Sequence, residues 1–169
     1  FLMNRRPPRS PLFPYTTLFR SIYAYQPFPW VKSMLYMDIP FYHYFIGREG
    51  QSVQTDVMIR RVAQLRLVNQ RMVEATPEPG TVPDGLYRYM IHFLAIESSV
   101  TSVFLILSKD KANYRLKDEL WADIDKASPA IGRDVRRKLV SRALNLRGSV
   151  GRWVIRRGYV VAEKVVGFN

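Results

Sequence analysis

From Gln51 to the last residues of the chain, apolar side chains recur at three- and four-residue spacing. This period narrows the possible folds more than any other feature, because only an α-helix returns a side chain to one face at that interval. Val57, Ile59, Val62, Leu65, Val68, Met72 and Val73 form the first stripe, with Arg60, Arg61, Arg66 and Gln70 interleaved. They predict one amphipathic helix that stops at Pro77, Pro79 and Gly80. A second helix is expected from Leu86 to about Leu107, with Asp84 as its N-cap. It is apolar on nearly every side, and its length of about 20 residues would suffice to cross a membrane. Arg88, His92 and Glu97 fall within it, however, and a charge at mid-bilayer costs at least about 2.5 kcal/mol. The pattern therefore predicts a central core helix, with His92 buried and hydrogen-bonded.

Lys109 to Lys111 form a polar break. A third helix is expected from about Ala112 to Ala127, with Leu116, Leu120, Trp121 and Ile124 on one face. Ser128 and Pro129 supply the N-cap and first turn of a fourth, which carries Ile131, Val135, Leu139, Val140 and Leu144. Gly148 and Gly151 loosen the next boundary. A last helix, to about Val166, sets Val150, Trp153, Val154, Val161 and Val165 along one side and Arg152, Arg156 and Glu163 on another. No internal repeat is visible.

Upstream of Gln51 the composition changes. Residues 22–53 are rich in Tyr, Phe and Pro, with short runs such as Met34 to Met37 and Phe41 to Ile46. Aromatic and β-branched content favours strand or extended chain, and Pro27, Pro29 and Pro40 divide it into short pieces. Short strands without partners belong to a sheet supplied by another part of a chain. Residues 1–21 combine Pro7, Pro8, Pro11 and Pro14 with Arg5, Arg6, Arg9 and Arg20, so neither helix nor strand is expected there and the segment is read as disordered. It could serve as a Pro-x-x-Pro ligand or as an Arg-rich targeting peptide. It also resembles, almost letter for letter, the translation of a short-read sequencing adapter, and the first residue is Phe1 rather than Met. On that resemblance residues 1–21 are set aside as an assembly scar.

Charge sharpens the division. Net charge is +12, but residues 22–132 hold twelve basic and twelve acidic side chains, and the excess lies in the Arg-rich head and in residues 133–169, with ten basic groups against Asp134 and Glu163. Trp153 and Tyr159 beside Arg152, Arg156 and Arg157 suit a helix lying on an anionic membrane surface; a nucleic-acid surface is the less favoured reading. The absence of cysteine excludes disulfides, thiolate metal sites and a Cys nucleophile.

Few motifs carry chemistry. Asp123 and Asp125 spell D-x-D, the spacing by which oxygen ligands hold a divalent cation, but on a helix they point about 200° apart, so a solvated face is expected. His43 stands in the aromatic run Phe41-Tyr42-His43-Tyr44-Phe45. The turn Gly47-Arg48-Glu49-Gly50-Gln51-Ser52 offers Arg, amide and hydroxyl donors on a glycine-flexed loop able to wrap a diphosphate. No Ser-His-Asp set, phosphate-binding Gly loop or paired-His motif is present.

The string Tyr25-Gln26-Pro27-Phe28-Pro29-Trp30-Val31-Lys32-Ser33, followed by Phe41-Tyr42-His43-Tyr44-Phe45-Ile46-Gly47-Arg48-Glu49-Gly50-Gln51-Ser52-Val53, resembles the C-terminal part of bacterial family-2 glycosyltransferases. The likeness is to a Gram-positive subgroup with a helical extension, and extends over residues 22–169. It implies a sheet of GT-A type that binds a nucleotide sugar, usually a UDP-sugar. An upstream D-x-D would hold Mg²⁺ or Mn²⁺ on the diphosphate, and an Asp base would activate the acceptor hydroxyl for inverting transfer. By the same resemblance Arg48, Gln51 and Ser52 approach the donor diphosphate and His43 and Tyr44 line the cleft. The general base is expected just before Tyr25, so the catalytic core is read as missing and the fragment as inactive and metal-free.

The expected fold is mainly α, a short β or extended remnant of a GT-A sheet at residues 22–53 followed by about five helices over residues 54–169. The expected function is that of the C-terminal part of a hexosyltransferase-type enzyme in polysaccharide or glycoconjugate synthesis. It would meet a glycan or lipid-linked acceptor while peripheral on the inner face of the plasma membrane. The alternative is a non-enzymatic basic helical module that binds nucleic acid or an anionic surface.

Overall fold

A computed structural model describes residues 16–40, 55–146 and 148–166. The fold is mainly α, as expected, and no strand occurs among the described residues. In chain order the helices are α1 (Thr16–Tyr25), α2 (Thr55–Arg60), α3 (Val62–Ala75), α4 (Asp84–Leu107), α5 (Lys111–Ala127), α6 (Pro129–Arg137), α7 (Leu139–Leu144) and α8 (Gly148–Val166), with a 3-10 turn at Phe28–Trp30. The long α4 is the axis: α2, α3, α5, α6, α7 and α8 all pack on it.

The main core joins Val68, Met72 and Val73 of α3 to Met90, Ile91, Leu94 and Ala95 of α4, Leu120, Trp121 and Ile124 of α5, and Ile131 and Val135 of α6. Although α4 is long and apolar enough to cross a bilayer, 67% of its most apolar window is buried against the rest of the protein. Its middle turn is polar. Ser98 Oγ donates to Asn69 Oδ1 (2.8 Å), Asn69 Nδ2 donates to Thr101 Oγ1 (2.8 Å), and Trp121 Nε1 donates to Ser102 Oγ (2.9 Å). These bonds satisfy polar groups withdrawn from water and fix the mutual register of α3, α4 and α5.

Local chemistry sets several boundaries. The Asp110 carboxylate accepts from Ala112 N (2.9 Å) at the start of α5, and Ser128 Oγ accepts from Ile131 N (3.3 Å) at the start of α6. Asp84, expected as an N-cap, is instead the first helical residue after Pro83. The first amphipathic stripe breaks at Arg61, whose N–H is shared between Val57 O and Met58 O, both at 3.1 Å. This bend turns Met58 and Ile59 toward Phe104 of α4. The expected fourth helix likewise breaks, at Lys138 with ψ 139°. That step rotates Leu139 out to solvent and buries Ser141 in its place.

Three further expectations are corrected, two upstream of Gln51 and one on α4. Helix α1 begins inside the segment for which no helix was expected, because the last of its prolines is Pro14 and TTLFRSIYAY contains none. Ser21 Oγ donates to Glu97 of α4, and Tyr25 is fully buried, its hydroxyl 2.7 Å from Thr76 Oγ1 and 3.2 Å from Met90 O. Ile22 and Phe28, expected in a sheet remnant, pack on the helical core. Met34 to Met37 run as exposed chain without strand pairing, since apolar residues form a ladder only where a neighbouring strand is at hand; Phe41 to Ile46 lie outside the described residues. Finally, His92 is exposed rather than buried. The helical period gives the core face to Met90, Ile91, Leu94 and Ala95, and position 92 falls opposite.

Candidate functional site

The 19-residue α8 carries the charged and aromatic residues singled out in the tail. Its docking face is Gly151, Ile155 and Tyr159, spaced four apart. Ile155 packs with Val103 and Ile106 of α4, and Tyr159 meets Phe104 edge-on, with ring centroids 6.2 Å apart. The Tyr159 hydroxyl lies 2.8 Å from Thr55 Oγ1, tying α8 to the start of α2. Gly151 permits the close approach: a Cβ there would stand 2.7 Å from Leu146 Cβ and 2.8 Å from its carbonyl carbon. Gly148 opens the helix at φ +76°, a left-handed conformation that glycine adopts without strain.

This docking turns the expected apolar stripe outward. Val150 is 73% exposed, Trp153 58%, Val154 43% and Val161 60%, and Val160 joins them at 43%. The sequence places two apolar faces on α8, and small Gly151 rather than bulky Val150 or Val154 meets the α7–α8 connection. Of the five residues expected at a membrane surface, Tyr159 instead packs on α4, and the other four are separated into two pairs. On the flank toward α5, Arg152 and Arg156 converge on one ring, their Cζ atoms 4.8 Å and 5.8 Å from the Tyr114 centroid. Arg156 also donates from Nη2 to Tyr114 Oη and from Nε to Ile106 O (3.3 Å). On the outer face Arg157 lies over Trp153, 5.8 Å from its centroid.

The electrostatics of the two halves differ. Arg66 of α3 bridges Glu119 (3.1 Å) and Asp123 (2.9 Å), and the hydrogen bond to Asp123 holds its pKa above the ordinary value. Arg136 of α6 grips Asp125 with Nη2 (2.6 Å) and Nε (3.1 Å) and stacks on Trp121 at 4.9 Å. By contrast, Arg152, Arg156 and Arg157 meet no carboxylate among the described residues. Of the described tail's basic residues, Arg136 and Arg137 meet carboxylates, whereas Arg152, Arg156 and Arg157 bring three guanidinium groups together on α8.

Between α5, the α7–α8 connection and the Arg152 flank of α8 lies a groove of about 440 Å³ lined by Tyr114, Lys117, Trp121, Arg136, Asn145 and Arg152, among others. Tyr114 and Lys117 carry no motif and were missed in the sequence. The signal that could have found them is the i, i+3, i+7 spacing of Tyr114, Lys117 and Trp121, which places them on one side of α5.

The remaining sequence candidates are quickly placed. His43, Tyr44, Arg48, Gln51 and Ser52 lie outside the described residues. Asp123 and Asp125 diverge, each held by a different arginine, and no group of three or more His, Asp or Glu side chains converges among the described residues. A divalent cation on this D-x-D would have to displace both guanidinium groups, so these residues do not fit the metal that the glycosyltransferase resemblance implies. Comparison with protein-family models, with curated proteins and with solved structures gives no match.

Proposed function

We propose that the chain is the helical C-terminal part of a membrane-associated glycosyltransferase, and that its own task is to seat the enzyme on an anionic membrane surface. One observation carries the second half of this reading: α8 exposes Val150, Trp153, Val154, Val160 and Val161 to solvent beside Arg157. A Trp within an apolar helix face, flanked by cations, is the composition that settles at a headgroup boundary. Each Lys or Arg held near an anionic surface adds on the order of 1 kcal/mol. The glycosyltransferase half is supported by the order and spacing of the strings around Tyr25 and Gly47. It assigns transfer from a nucleotide sugar, a UDP-sugar by preference, to a cell-surface polysaccharide or glycoconjugate acceptor, with Arg48, Gln51, Ser52, His43 and Tyr44 at the donor and acceptor cleft. The metal and the base belong to a catalytic part that residues 22–169 do not supply, so this chain alone is expected to turn over no UDP-sugar.

Co-sedimentation with vesicles tests the seating role. The chain should pellet with phosphatidylglycerol-containing vesicles, weakly with phosphatidylcholine alone, and less as salt rises from 0.05 to 0.5 M. Val154→Asp should abolish pelleting while leaving the helical circular-dichroism signal unchanged. Binding indifferent to anionic lipid and to salt would overturn the proposal, and salt-steep binding to duplex DNA without vesicle binding would replace it with the nucleic-acid reading.

A further inference from the structure

Between the 3-10 turn and Pro40 the chain presents its apolar side chains to water. Met34 is 77% exposed, Leu35 81% and Tyr36 85%, and Val31, Met37 and Ile39 are exposed as well. No backbone N–H from Lys32 to Asp38 donates to a backbone carbonyl among the described residues, and one local bond, from Ile39 N to Met37 O (2.9 Å), closes the far end. An open backbone carrying exposed Val, Tyr and Ile is the form of a strand that lacks its partner.

The alternation along residues 31–39 says which partner fits. In a strand, Val31, Ser33, Leu35, Met37 and Ile39 share one face, and Lys32, Met34, Tyr36 and Asp38 share the other. Laid antiparallel on a second copy with Leu35 opposite Leu35, the stretch is self-complementary. Lys32 of each chain then stands opposite Asp38 of the other, Met34 opposite Tyr36, and Val31 opposite Ile39. Neither Lys32 nor Asp38 meets an oppositely charged side chain among the described residues. A slip of two residues, the smallest that keeps each face on its own side about a two-fold axis, sets Lys32 opposite Tyr36 or Pro40 and loses both charge pairs. Pro40, which has no N–H to donate, ends the ladder.

We propose that two copies of the chain associate through residues 31–39, paired as an antiparallel ribbon about a two-fold axis at Leu35. Each copy uses the same strand edge, so assembly stops at two. A two-stranded ribbon alone is marginal in water, but here each strand starts on a helix: Val31, Lys32, Ser33 and Met34 line a groove of about 320 Å³ with Leu86 and Tyr89 of α4. The inference rests on neither the membrane reading nor the glycosyltransferase reading.

Sedimentation equilibrium of the full chain from micromolar to millimolar concentration tests it. The average mass should climb from 19.7 kDa to twice that value and level off. Leu35→Lys sets like charges across the axis and should weaken association by about tenfold or more, as should Lys32→Asp and Asp38→Lys singly. All three sites are exposed, so the helical circular-dichroism signal should not change. Rescue is the sharper readout. The Lys32→Asp chain mixed with the Asp38→Lys chain should form a mixed dimer, and the chain carrying both exchanges should dimerise with itself. Leu139→Ser, at an exposed side chain of α7, should leave the dimer intact. Val154→Asp should also spare it while losing vesicle binding, so the two proposals fail separately. The proposal is overturned by a chain that stays monomeric throughout, by growth past two copies without limit, or by failure of the charge exchange to rescue. A dimer lost with Val154→Asp but kept with Leu35→Lys overturns it too, since α8 would then be the interface.

Discussion

Tyr25 sits where α1, α3 and α4 meet, and burial pushes its phenol above the ordinary tyrosine range, the hydrogen bond to Thr76 only partly offsetting this. Burial, reinforced by Asp134, raises Tyr87 as well. A raised folded pKa means that the neutral phenol is favoured in the fold. The associated stability is fully present below the unfolded value near 10 and is lost as pH climbs beyond it. Urea unfolding should therefore show stability falling above about pH 10, by up to about 1.4 kcal/mol per pH unit for each such tyrosine. Tyr25→Phe should flatten that slope. Close packing is tested at Gly132, where a Cβ would collide with Asp125 Oδ1 and stand 3.0 Å from its Cα. Gly132→Ala should cost about 1–3 kcal/mol in thermal or chemical denaturation and loosen the Arg136–Asp125 grip. Neither residue announces this role in the sequence. Tyr25 lies in a stretch whose aromatic content favours extended chain, and Gly132 stands mid-helix, where its necessity depends on which turn of α5 lies opposite. His92 and Leu139 show the same limit from the other side: hydropathy names a type of residue, whereas burial depends on the helical phase of each piece.

At the scale of the element, punctuation was the most legible part of the chain. Ser128 with Pro129, and Pro77, act through their own backbone neighbours, so their effect needs no knowledge of the tertiary fold; Asp84 and Asp110 were less legible, the first lying inside α4 and the second capping α5 where only a polar break was expected. Ser128→Ala should accordingly destabilise by about 1 kcal/mol, read as a lowered urea midpoint with an unchanged slope. The breaks at Arg61 and Lys138 were not legible. Each occurs inside a continuous apolar stripe without Pro or Gly at the break, and each is imposed by the surface the next helix must reach. Which face of α8 docks was not legible for a related reason. Val150, Trp153, Val154 and Val161 form the more hydrophobic face, but Gly151, Ile155 and Tyr159 form the face that fits α4. Fit against Leu146 and Phe104 decided which face was buried.

For the molecule as a whole, a mainly helical fold organised around α4 follows from periodicity alone, since a helix that is apolar all round must be enclosed. The charge map follows from the sequence only in part. Counting places the excess in the head and the tail, but only the structure shows that Arg136 is engaged by Asp125 and Arg137 by Asp134 while the three arginines of α8 are not matched by a carboxylate among the described residues. The donor-loop residues fall outside the described region, so the enzyme half of the reading rests on resemblance and the surface half on α8. Because the chain has no cysteine, single cysteines can report the surface half directly. An environment-sensitive fluorophore would be placed at Val154→Cys or Val161→Cys on the outer face of α8, and at Glu74→Cys on exposed α3. With anionic vesicles the two α8 positions should shift strongly to the blue, the Glu74 position should not respond, and 0.5 M salt should reverse much of the effect. Silence at the α8 positions, or an equal response at all three, would contradict the account.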